Sequence, residues 1–161
     1  MEQGRVTLNL LLQKIEKLKE FKGLLLQQQK ALVAVDMDAI NRFSELQLNC
    51  LEEIQAIEAE WRRLIESVKA RYNLQNISTD QVVTLGLDEE KSVMVLGYIQ
   101  QVRQLVEEIE KVKKNNALLI QNSLSLVRST LRHLQGGMGA DAVYNPYRRP
   151  TPGNLILNRK L

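Results

Sequence analysis

Side chains able to make or break bonds are scarce in this sequence. It holds one His, His133, and one Cys, Cys50, so neither a His-based metal centre nor a Cys–His nucleophile pair can be assembled. His133 falls near the end of a long helical pattern, where a surface or interface role is the simpler reading. Cys50 and Trp61 occupy stripe positions of another helical pattern and read as core, with Cys50 acting as a small hydrophobe. Gly136-Gly137-Met138-Gly139 follows a helix instead of a strand, lacks a following Lys-Ser/Thr and opens no helix, so a phosphate loop is the poorer explanation. The Glu–Lys and Glu–Arg neighbours along the helices read as solvated faces, not acid–base pairs. No catalytic residue, metal ligand or cofactor is assigned, and the chain reads as a non-enzyme.

The chemistry that remains is recognition by apolar surface. Residues 101–114 contain seven charges in fourteen positions, whereas residues 117–134 contain only Arg128 and Arg132 in eighteen. Nine of those eighteen are aliphatic, and Leu124, Val127, Leu131 and Leu134 follow one another at helical spacing. An apolar stripe left exposed marks a partner site, most simply a helix-on-helix contact. The alternatives are burial by the first helix of the same chain or by a second copy.

The elements that must carry this stripe are helical. The chain has 161 residues, enough for one modest domain. Aromatics are 4%, with 8 Gly and 3 Pro, a composition that disfavours sandwiches and barrels. No run reaches the roughly 18 apolar residues of a membrane span, the amino terminus lacks a secretory pattern, and one Cys fits a reducing compartment. A cytoplasmic protein without stable membrane insertion is expected. The net charge of +3 lies entirely after residue 135, in Arg148, Arg149, Arg159 and Lys160 against Asp141, while residues 1–135 balance. A nucleic-acid binder concentrates basic charge on a folded face, so nucleic acid is not an expected partner.

Alternating steps of three and four place a first helix at about Val6 to Val35, with Leu8, Leu11, Ile15, Leu18, Leu25 and Leu32 on its stripe. Asp36-Met37-Asp38 supplies a break and an N-cap. A second helix follows from about Asp38 to Tyr72 through Ile40, Phe43, Cys50, Ile54, Ile57, Trp61, Leu64 and Val68, a period of 3.5 that indicates coiled-coil-like packing. Ser78 and Gln81 have capping-box spacing, which predicts a short turn near Asp80 to Thr84. A third long helix starts at Asp88 or Glu89 and stops at Gly136-Gly137. Val95, Tyr98, Val102, Leu105, Ile109 and Val112 form its first stripe, and the apolar phase slips at Asn115-Asn116. The fold expected is therefore all-α: three long helices in an antiparallel, coiled-coil-like bundle (residues 1–135). At 1.5 Å per residue the third helix exceeds the second by roughly 20 Å and overhangs it. A flexible, disordered tail (136–161) follows.

This organisation resembles the FlgN family of flagellar type III export chaperones. The resemblance rests on the Leu- and Gln-rich first helix (Leu24-Leu25-Leu26-Gln27-Gln28-Gln29), on Glu60-Trp61-Arg62-Arg63-Leu64, and on Asn115-Asn116-Ala117-Leu118-Leu119-Ile120 leading to a late Tyr144. The resemblance implies that the end of the third helix binds hook-associated (hook–filament junction) proteins before their secretion, through Leu119, Ile120, Leu124, Val127, Leu131 and Leu134. It also implies that Tyr144 contacts the cytosolic domain of the export gate, although Asn145 stands where Gly is common in the family. The contrasting expectation is a structural coiled-coil protein that self-associates through the same apolar end, with a homo-oligomer as the free state.

Overall fold

A computed structural model describes residues 2–140, with side chains for residues 4–135. The tail expected from the sequence lies outside the described residues beyond Ala140. Four helices follow in chain order: α1 Glu2–Ala34, α2 Met37–Tyr72, α3 Thr79–Thr84 and α4 Glu89–Ala140. The described residues contain no strand, and the chain is all-α. It divides into two compact units, Met1–Leu119 and Ile120–Leu161, and α4 contributes to both.

Local chemistry sets the helix ends. Val35 takes a left-handed φ of 55° to close α1, with Asp36 N–H donating to the Ala31 carbonyl at 3.0 Å. Asp36 then caps α2, its Oδ1 accepting from Ala39 N–H at 3.0 Å. Left-handed Asn73 ends α2. The Ser78–Gln81 capping box is present in both directions and starts α3. Gly86, at φ 74°, turns the chain toward α4, where a Cβ would stand 3.0 Å from the Tyr72 hydroxyl. Asp88 caps α4 by accepting from Lys91 N–H at 2.8 Å, and the Lys91 ammonium holds its carboxyl below the usual carboxylate range.

Two registers organise the first unit. α1 and α2 are antiparallel: Lys14 pairs with Glu58, Lys17 with Glu53, and Gln28 donates to Ser44 Oγ at 3.0 Å. Glu20 and Glu53 together push the Lys17 ammonium pKa up. α1 and α4 run parallel at an offset of 86 to 91 residues, marked by the Lys22–Glu108 ion pair at 2.7 Å and by Asn116 Nδ2 donating to the Leu25 carbonyl at 3.0 Å. α3 is tied to α4 where Arg103 Nη2 donates to both oxygens of Asp80, at 2.7 and 2.9 Å.

Leu11, Ile15, Leu18, Phe21 and Leu25 of α1 meet Cys50, Ile65 and Val68 of α2, Val82 and Val83 of α3, and Val95, Ile99, Val102, Leu105 and Ile109 of α4. About half of the stripe positions read from the sequence are here, and Leu8, Ile54, Trp61, Leu64, Tyr98 and Val112 pack against them half-buried, while Phe21, Ile65 and Ile99 are buried as well. A helix with two neighbours buries a wider face than one a/d seam.

The third long helix differs from expectation at its end. It continues through Gly136-Gly137 to Ala140 instead of stopping at Gln135. Glycine ends a helix only by turning left-handed; it also takes right-handed helical angles, at about 1 kcal/mol relative to Ala.

Candidate functional site

Where α4 belongs to the first unit, Val95, Ile99, Val102, Leu105 and Ile109 enter the core, while Val93, Met94, Leu96, Val106 and Leu118 stay exposed. Leu105 is 7% exposed and Ile109 is 5% exposed. The layer that closes this series is polar. Asn116 is 3% exposed, and its Nδ2 donates to the Leu25 carbonyl and to Gln28 Oε1 at 3.2 Å. Gln28 Nε2 in turn donates to Ser44 Oγ, whose hydroxyl donates to the Ile40 carbonyl at 2.8 Å. One chain of hydrogen bonds thus links α4, α1 and α2. The Asn116 Oδ1 is buried without a protein partner among the described residues, so the layer specifies register at some cost in stability. Sequence periodicity registered Asn115-Asn116 only as a phase slip; the slip was the available signal.

From Ile120 onward the environment changes. Ile120, Leu124, Val127, Leu131 and Leu134 are all exposed, with Leu124 at 50% and Leu131 at 51%. At 3.6 residues per turn these five side chains fall within an arc of about 80° on one side of the helix. Leu118 and Leu126 are exposed as well, away from that arc. Leu119, in the first unit, is half-buried and is set about 100° around the helix from Ile120. Five of the six apolar positions named from the sequence thus form one continuous stripe, and Leu119 stands off it. Tyr144 lies outside the described residues.

Residues 120–135 are kept compatible with water by Gln121, Asn122, Ser123, Ser125, Ser129, Thr130 and Gln135, together with Arg128, Arg132 and exposed His133. Thr130 Oγ1 donates to the Leu126 carbonyl at 3.0 Å, a helix-internal bond. Nothing in this constellation can activate a nucleophile or move a proton between paired groups. What it offers is a ridge of aliphatic side chains of the width a second helix would cover.

The other singled-out residues are structural. Cys50 is 2% exposed in the α1–α2 seam, and burial pushes its thiol pKa up, which keeps it protonated and unreactive. Trp61 packs against the core. No group of three or more His, Cys, Asp or Glu among the described residues could hold a metal ion. No helix among them is long and apolar enough to cross a membrane.

Comparison with known proteins returns one family. The family model described as FlgN protein matches residues 3–152, nearly the whole sequence and both compact units. No curated protein and no solved structure matches the chain. An all-α chain of this helix order, matched over that span, belongs to the FlgN family of flagellar export chaperones.

Proposed function

We propose that this chain binds flagellar hook-associated proteins in the cytoplasm through Ile120, Leu124, Val127, Leu131 and Leu134, keeps them from premature assembly and delivers them to the type III export gate. The observation that carries the reading is the uncovered aliphatic stripe of α4 in a member of a chaperone family. A secreted junction subunit must keep its own apolar helices from associating before it reaches the growing structure. A helix that offers a matching ridge can shield them and release them without nucleotide, because burial of apolar surface is non-directional and reversible. The first unit supplies a rigid scaffold with its own core. Tyr144, in the segment following α4, serves as the separate contact to the gate, so that holding cargo and docking are performed by different residues.

The test is co-purification with the cognate hook-associated proteins. Leu124→Asp combined with Leu131→Asp should abolish the complex while circular dichroism shows unchanged helix content. A variant that still captures its partner at the wild-type level would remove the assignment of this stripe. Tyr144→Ala should keep the binary complex and lower secretion of the partner; unchanged secretion would remove the gate role.

A further inference from the structure

The arginines beside the stripe carry information about what covers it. Arg128 and Arg132 lie one turn apart on the same side of the stripe, about 40° and 80° beyond Leu124 when projected down the helix. The opposite edge holds Ser123 and Thr130. Neither arginine forms an ion pair among the described residues; Arg5, Lys19, Lys30, Arg42, Arg62, Arg63, Lys111 and Lys114 form none either, but what distinguishes Arg128 and Arg132 is that they flank the exposed stripe. The cause of their missing ion pairs is local supply, since α4 has no Asp or Glu anywhere from 111 to 140. Helix-dipole stabilisation does not account for the pair, because Arg132 stands two turns before Ala140 and that effect is confined to the last turn.

We propose that the occupant of the stripe is an amphipathic helix of a partner protein with Asp or Glu along one edge of its apolar face, and that Arg128 and Arg132 select it. This rests on the export-chaperone reading and refines it by specifying the cargo segment. Candidates from the chain itself fit poorly by charge. A second copy would bring the same acid-free stripe with the same two arginines, and the tail beyond Ala140 carries four bases against the single acid Asp141. A single charged edge also fixes direction: a partner helix docked the other way round would present its neutral edge to the arginines. Like charges placed against each other penalise the wrong partner more than a matched pair rewards the right one.

The experiment measures dissociation constants for the purified full-length chaperone and each purified hook-associated protein, at low salt and at roughly 300 mM salt, where screening is strong. Arg128→Glu with Arg132→Glu should weaken binding about tenfold at low salt and Arg128→Gln with Arg132→Gln about threefold, with both differences shrinking at high salt. Replacing acids of the cargo helix by Lys should restore binding to the Glu variant. Wild-type affinity in the Glu variant, alongside lost binding in Leu124→Asp/Leu131→Asp, overturns the selection by charge and leaves the chaperone reading standing. Wild-type affinity in the Asp variant removes both. Sedimentation of the free wild type as a dimer that Leu124→Asp/Leu131→Asp dissolves would make a second copy the occupant and overturn the proposal. So would a tenfold gain in affinity on deleting residues 148–161, which would name the tail.

Discussion

The two stretches of α4, Glu89–Leu119 and Ile120–Gln135, have the same secondary structure and similar aliphatic content but opposite surroundings. In the first, Val95, Ile99, Val102, Leu105 and Ile109 are buried, and two charges beside them pair across helices, Glu108 with Lys22 and Arg103 with Asp80. In the second, the aliphatic side chains are exposed and the two charges stand unpaired among the described residues. Solubility there comes from amides and hydroxyls, which need no partner of fixed charge. Periodicity therefore specifies that a helix has an apolar side, and charge density between the apolar positions tells whether its own chain answers it.

The largest test of this contrast substitutes one residue type at two places in one helix. Leu105→Ala should cost about 2–5 kcal/mol through lost burial and a cavity, while Leu124→Ala, at a 50% exposed position, should stay within about 0.5 kcal/mol. Urea denaturation followed by circular dichroism measures both. Equal losses would mean that the two stretches are packed alike.

Next in size is the polar layer that closes the core. Asn116→Asp replaces the donor facing the Leu25 carbonyl and Gln28 Oε1 with an acceptor, and should destabilise the fold by about 2 kcal/mol. A buried carboxyl of this kind has its pKa raised, so the loss should be greatest at neutral pH and shrink on acidification. A flat pH profile with wild-type stability would show that the layer does not constrain the helices.

The smallest effect is a pH dependence confined to the first stretch. Lys22, and after it Gln104, hold the Glu108 carboxyl below the usual glutamate range. A depressed carboxylate pKa contributes stability above the ordinary glutamate value, and this is lost as the pH falls through the lower folded value. Glu108→Gln should flatten that acid limb of the thermal melting profile. Arg128→Gln should leave it unchanged, because residues 120–135 contain no acid to titrate.

Much of this arrangement was legible before any coordinates. Three long helices, the Asp36 cap, the Ser78–Gln81 box and the start of the last helix at Asp88 are short-range chemistry, and each occurs where residue types demand it. The stripe from Ile120 to Leu134 was legible through its missing charges. Buried Phe21, Ile65 and Ile99 were not, because one helix read alone does not show how many neighbours it has. Nor was the Asn116–Gln28–Ser44 connection, which joins positions 88 and 16 residues apart. The continuation of α4 through Gly136-Gly137 was misread because glycine is compatible with both outcomes.

Amide hydrogen exchange, on the free chaperone and on its complex with a hook-associated protein, tests the central claim most directly. Free protein should exchange rapidly over residues 120–135 and slowly over 95–112, and the complex should gain protection selectively over 120–135. Protection of 120–135 in the free monomer equal to that of 95–112, unchanged on adding the partner, would contradict it.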